Sequence, residues 1–189
     1  MRRVPLFLTL LRIVLAPVVV ATAFYGGSRA VFAACLVAAF VSDIFDGVIA
    51  RRLGIATPGL RRLDSVADSV FYIAATLAVW HLHPEAITQR AELLSALIAL
   101  ELVRYGFDYA KFRREASYHM WSSKLWGIAL FVAFLSLLAF DADNLLVTIA
   151  IALGVVCDLE GLAISWVLKR WQSDVPTLAA AISIARRQT

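Results

Sequence analysis

Six apolar runs, at about 6–25, 31–50, 66–82, 91–109, 125–140 and 145–168, take up most of the 189 residues of this chain. Each is close to the roughly 20 residues that an α-helix needs to cross a hydrocarbon core about 30 Å thick. Lipid offers the backbone no hydrogen bonds, so such runs cross it as helices that satisfy their own N–H and C=O groups. Composition agrees: 61% of the residues are hydrophobic, against roughly 45–50% in soluble domains, and the mean hydropathy is +0.80. These figures exclude a soluble globular enzyme, a disordered chain and a disulfide scaffold. The two cysteines, Cys35 and Cys157, lie inside apolar runs with no metal or redox spacing. The expected fold is an all-α integral membrane protein, one domain over 1–189, built as a six-transmembrane-helix bundle.

Loop charge orients the bundle. Arg2 and Arg3 precede the first run; Arg51, Arg52, Arg61 and Arg62 lie between runs two and three; Lys111, Arg113, Arg114 and Lys124 lie between four and five; Lys169, Arg170, Arg186 and Arg187 follow the last. The alternate connections carry little beyond Arg29, His81, His83, Glu85, Arg90, Asp141 and Asp143. The excess of Lys and Arg marks the cytoplasmic side, which predicts N-in/C-in topology in the cell inner or plasma membrane. The net charge of +4 then reads as loops facing anionic lipid, not as a nucleic-acid surface.

Arg2-Arg3, an apolar stretch and Ala21-Thr22-Ala23 also resemble a cleaved signal peptide. Against that, Arg12 interrupts the stretch and its removal would invert the charge bias, so a retained helix is expected. After Trp171, Ser173-Asp174-Val175-Pro176 reads as a helix start, with a cap residue, an acidic first turn and an early proline. The tail 171–189 is expected to form a short interfacial helix.

Ionisable groups at the edge of a bilayer are costly and need a reason to be there. Asp43 and Asp46 are i,i+3 on one helix, with Gly47 and Ala50 on the same face, and Asp64 and Asp68 are i,i+4 on the next. Two helix ends joined by a short loop would turn four carboxylates toward one space. Pairing with Arg51, Arg52, Arg61 and Arg62 is one outcome, but long loop arginines snorkel outward. Divalent cations are the better partner, because hard ions take carboxylate oxygens and Mg²⁺ commonly adds substrate phosphates to a few protein ligands.

The same residues resemble the signature of the CDP-alcohol phosphotransferase family, D-x-x-D-G-x-x-A-R, eight residues, then G-x-x-x-D-x-x-x-D. Asp43, Asp46, Gly47, Ala50, Arg51, Asp64 and Asp68 match in register; the remaining glycine falls on Leu60, with Gly59 just before it. Thr9 and Arg12 resemble the family's first-helix T-x-x-R, although Leu6 stands where asparagine is common. The resemblance implies an enzyme of phospholipid biosynthesis that moves a substituted phosphate from a CDP-linked donor, usually CDP-diacylglycerol, to an alcohol and releases CMP. It implies that Asp43, Asp46, Asp64 and Asp68 hold Mg²⁺ or Mn²⁺ as a pair of ions, and that Asp68 is the general base. Thr9, Arg12, Gly47, Ala50 and Arg51 would bind the donor, and the protein would be a homodimer.

A second polar stripe, Glu101, Arg104 and Asp108, is spaced i, i+3, i+7 on one helical face. Arg104 and Lys124 could hold a phosphorylated acceptor alcohol; the competing outcome is an internal Glu101–Arg104 pair with Lys124 snorkelling. His119 reads as an interfacial hydrogen-bonder, and Asp158 as a partner for an arginine of the bundle. Two other functions compete with the transferase. A divalent-cation transporter or channel would carry its acids near the midplane, and Leu60 raises a non-catalytic relative that has lost donor binding.

Overall fold

A computed structural model of the chain describes residues 4–52 and 58–187, without the side chains of Ala50, Arg51, Pro58 and Arg61. The described residues form α-helices and no strands: α1 (Val4–Phe24), α2 (Arg29–Arg52), α3 (Pro58–Leu82), α4 (Pro84–Thr88), α5 (Ala91–Phe112), α6 (Trp121–Phe140), α7 (Leu145–Val167) and α8 (Leu178–Arg187). Five of them, α1, α2, α3, α6 and α7, are long and apolar enough to cross a membrane. The run expected to be another span is helix α5, which lies outside that set. It carries Glu92, Glu101, Arg104, Asp108 and Lys111, and each charge costs about 2.5–3.5 kcal/mol at the centre of a bilayer on insertion scales.

The chain divides into two compact units. The first comprises α1 to α4 together with the last turns of α6 from Phe134 to Asp143. Here α1 packs against both α2 and α3. Much of the buried surface is small, with Ala16, Ala23, Ala39, Ala67, Ala75 and Ala78 almost wholly enclosed. Small side chains let backbones approach closely, and close approach is the main source of helix association where the solvent is itself apolar. Val19, Leu36 and Phe71 fill the remaining space, while Phe7, Val14, Ile73 and Leu77 point outward. At one end Arg29 pairs with Asp141, and His83 Nδ1 stands 3.6 Å from the same carboxylate.

The second unit holds α5, the first part of α6, α7 and α8. Its α5 ends at Arg113, in the left-handed region at φ 59°, whose N–H donates to Tyr109 O at 3.0 Å. Asn144 caps α7 by accepting from the Leu146 N–H at 3.0 Å. The segment after α5 is strapped to the one after α7: Asp174 N–H donates to Ser117 O (2.9 Å), and Trp121 N–H to Pro176 O (3.2 Å). His119 Nδ1 lies 3.0 Å from Asp174, which agrees with the polar role expected of it. Tyr118, Met120, Cys157, Ile164, Leu168, Val175 and Ala181 form the core beneath.

The expected helix start at Ser173 is corrected to Leu178. Asp174 takes φ 57° and Val175 is fully buried, so the segment is held as a strap. The actual cap is Thr177, whose Oγ1 accepts from the Ala180 N–H at 3.2 Å, while Glu160 Oε1 accepts from the Leu178 N–H at 3.3 Å.

Close packing in this unit depends on Gly154. A Cβ there would stand 2.8 Å from the Trp126 ring and 2.9 Å from Leu97. Gly154→Ala is therefore expected to lower stability by about 1–3 kcal/mol through overpacking. Gly127→Ala, with nothing within 4 Å of its Cβ, should cost nothing. Thermal melts in detergent that ranked the two variants equally would contradict this packing.

Candidate active site

The site lies within the first unit, where three helices each supply part of it. α2 contributes Asp43 and Asp46 from its last three turns, and α3 contributes Asp64 and Asp68 from its first three. α3 opens on Pro58, a residue pre-shaped for the first helical position, where the missing N–H costs nothing. The i,i+3 and i,i+4 spacings then turn each pair of acids to one side of its helix.

α1 contributes Thr9 and Arg12, both only 1% exposed. The Arg12 guanidinium meets every one of the four carboxylates. Its Nη1 donates to Asp43 Oδ1 at 3.0 Å and to Asp68 Oδ1; its Nη2 donates to Asp46 Oδ2 and to Asp64 Oδ1. The Thr9 hydroxyl lies 3.0 Å from Pro5 O and 3.3 Å from Asp46 Oδ2. Asp46 is the enclosed member, with a side chain 4% exposed, whereas Asp43, Asp64 and Asp68 are 46%, 35% and 34% exposed. Thr9 and Arg12, expected at the donor, thus lie beneath the acids and touch them directly.

The residues fit a divalent cation on two counts. Among the described side chains, one guanidinium meets four carboxylates, three more than its single charge balances. Moreover, one oxygen each of Asp43, Asp64 and Asp68 lie within 4.8 Å of one another. Oxygens sharing one Mg²⁺ at 2.0–2.1 Å stand about 3–4 Å apart, a spacing that small side-chain rotations reach. Asp46 stands outside that triad, on Thr9 and Arg12.

Gly47 is half-buried beside Asp46. The side chains of Ala50 and Arg51, also expected at the donor, lie outside the described residues. Leu60 is half-buried in the first turn of α3, and Gly59 is exposed with nothing within 4 Å of a built Cβ. Among the described residues nothing therefore crowds a side chain at 59.

The expected acceptor residues, Arg104 and Lys124, belong to the second unit. Arg104 Nε lies 3.0 Å from Asp158 Oδ1, with Asp158 1% exposed, so Arg104 pairs with Asp158 and not with Glu101. Gly161 makes room for it: a Cβ there would stand 3.0 Å from Arg104 Cδ. Lys124 Nζ sits 4.3 Å from the Trp121 ring centroid, the geometry of a cation–π contact. Sequence reasoning missed a buried chain in which the Ser165 hydroxyl donates to Asp108 and contacts the Tyr118 hydroxyl at 2.8 Å. Burial raises the Tyr118 pKa above its ordinary value, so that hydroxyl keeps its proton at neutral pH. Lys111 Nζ donates to Ser165 O and Trp166 O at 2.9 Å each, which suits a cation at a helix C-terminus.

Comparison with known proteins bears on this site. A protein from Mycobacterium tuberculosis described as "Probable phosphatidylglycerophosphate synthase" is 38% identical over 77 residues, covering 38% of this chain and 37% of its own length. An Escherichia coli CDP-diacylglycerol–glycerol-3-phosphate 3-phosphatidyltransferase is 37% identical over 103 residues, covering 53% of this chain and 55% of its own. The chain thus spans between about a third and about half of the length of these relatives. No solved structure matches it. The profile of one family, described as CDP-alcohol phosphatidyltransferase, matches residues 2–156 and so takes in α1, α2, α3 and all four aspartates. A match of that extent means that the chain belongs to the CDP-alcohol phosphatidyltransferase family.

Proposed function

We propose that this protein transfers a phosphatidyl group from CDP-diacylglycerol to a small alcohol and releases CMP, with glycerol 3-phosphate as the leading acceptor. The observation that carries the reading is the gathering of Asp43, Asp64 and Asp68 on two helices, with three negative charges in excess of Arg12. The acceptor is taken from the E. coli relative's own activity.

The carboxylates of Asp43, Asp46, Asp64 and Asp68 would hold Mg²⁺ or Mn²⁺ as a pair of ions, which would neutralise charge on phosphoryl oxygens and on the leaving phosphate. The acceptor hydroxyl oxygen attacks the phosphorus that bears the diacylglycerol. The bond from that phosphorus to the bridging oxygen breaks, and CMP departs with the oxygen and its electron pair. Asp68 accepts the hydroxyl proton, a role suited to a carboxylate one-third exposed at the open side of the cluster. Gly47, Ala50 and Arg51 border the nucleotide. Arg104 and Lys124 hold the acceptor phosphate.

In the membrane, α5 serves as a sixth span in which Arg104 is paired with Asp158 and Asp108 is buried, with both termini in the cytoplasm by the positive-inside rule. The donor then keeps its acyl chains in lipid while a soluble acceptor enters from water. Dimerisation follows from the family resemblance alone.

The test is CMP release from radiolabelled CDP-diacylglycerol by the purified protein with Mg²⁺, over a panel of glycerol 3-phosphate, inositol phosphate, inositol and serine. Release that needs both metal and one of these alcohols is expected. Cation flux without CMP release would favour a transporter, and cation binding with neither would favour a non-catalytic relative. Arg104→Lys, which keeps a charge opposite Asp158, is expected to raise KM for glycerol 3-phosphate several-fold more than KM for the donor. Equal changes in both would remove Arg104 from the acceptor site.

A further inference from the structure

We propose that Arg12 is a positioning residue of the metal centre, a fixed cation that holds the four carboxylates in register so that divalent ions bind a preassembled site. The inference rests on the metal-dependent reading above and assigns Arg12 a different task from contact with the donor.

Three features of the geometry carry it. First, each terminal nitrogen bridges the two acidic helices: Nη1 takes Asp43 of α2 and Asp68 of α3, and Nη2 takes Asp46 of α2 and Asp64 of α3. The four terminal N–H groups of the planar fork are thereby used, one per carboxylate. No lysine could do this, because an ammonium has three donors and no fork.

Second, Arg12 meets each acid through one oxygen only, Oδ1 of Asp43, Asp64 and Asp68 and Oδ2 of Asp46. That leaves the second oxygen of Asp43, Asp64 and Asp68 off the guanidinium, on the carboxylates whose oxygens gather within 4.8 Å of one another. Third, Arg12 has no freedom to serve elsewhere. Its side chain is 1% exposed, and its Nε is buried without a partner, so all of its bonding passes through the two nitrogens on the acids. Thr9, one turn before it on α1, adds a hydroxyl beside Asp46 Oδ2.

In physical terms, four carboxylates brought together without compensation would repel one another and splay. A buried guanidinium supplies part of the missing charge before any ion arrives. Partners that orient ligating groups in this way are typically worth about 10–100-fold in metal affinity.

The experiment titrates Mn²⁺ into the donor-free, full-length protein in detergent, following free Mn²⁺ by electron paramagnetic resonance. Arg12→Gln is expected to weaken Mn²⁺ binding by about 10–100-fold, and Arg12→Lys to recover only part of the loss. Gly154→Ala, which strains packing in the other unit, should leave the affinity unchanged. The unaltered protein in excess chelator should keep a cooperative thermal transition, because Arg12 already gathers the acids; this holds even if Arg12→Gln fails to fold. Binding by Arg12→Gln as tight as or tighter than the parent's would overturn the proposal, since Arg12 would then compete with the metal. Collapse of the parent's transition in chelator would overturn it as well. A parent that binds no Mn²⁺ would defeat the metal-dependent reading and this one together, whereas a binding parent with an equally good Arg12→Gln defeats this one alone.

Discussion

Asp68→Asn is expected to reduce CMP release by about 10²–10⁴-fold, the usual worth of a positioned general base, while the protein still folds; Mn²⁺ binding weakens as well, because the variant removes one oxygen of the Asp43, Asp64 and Asp68 triad. An asparagine keeps the shape of the side chain and an oxygen for Arg12 Nη1 but cannot take a proton from the acceptor. The loss should therefore fall on kcat, with little change in KM for CDP-diacylglycerol. Asp46→Asn, by contrast, alters the enclosed acid that rests on Thr9 and Arg12, so its effect should appear first in melting temperature. If Asp68→Asn and Asp46→Asn lost activity with the same split between kcat and KM, the separate roles given to the open and enclosed acids would be wrong.

Arg104→Ala is expected to cost about 3–5 kcal/mol of stability, because it strands the fully buried Asp158 carboxylate without a charge partner. Asp158 Oδ2 already lacks a hydrogen bond, so nothing nearby can compensate. The double variant Arg104→Met with Asp158→Leu should regain most of that loss, since a buried ion pair replaced by apolar groups of similar size is often neutral or stabilising. Denaturation of the three proteins in the same detergent checks this. A double variant as unstable as Arg104→Ala would mean that the pair contributes specific packing beyond mutual charge compensation. The comparison also matters for function: activity lost in Arg104→Ala says nothing about acceptor binding until the fold is restored.

What could be read from the sequence was whatever depends on neighbours along one helix. The spacing of Asp43 to Asp46 and of Asp64 to Asp68 sets the side of the helix each acid faces, and the structure brings all four onto one group. Helix positions followed from run length, and Asp158 was expected to meet an arginine, as it does. Contacts between distant residues were not legible. Arg12 stands 31 residues from Asp43 and 56 from Asp68, and nothing in local periodicity separates an arginine aimed at a phosphate from one aimed at carboxylates. Likewise Glu101, one turn away, was the competing partner for Arg104 beside an acceptor phosphate, whereas the pair forms across to Asp158 on α7. The tail misled for a similar reason. Ser173-Asp174-Val175-Pro176 has the composition of a helix start, but tertiary burial of Val175 and the Ser117–Asp174 strap override that preference.

The most direct test of the central claim, that these aspartates converge to hold divalent ions, is anomalous diffraction from crystals of the protein grown with Mn²⁺. Anomalous density ligated by oxygens of Asp43, Asp64 and Asp68 is expected, with Arg12 still bonded to the opposite oxygens. Mn²⁺ found only elsewhere, or aspartates turned away from one another in the presence of the ion, would contradict it.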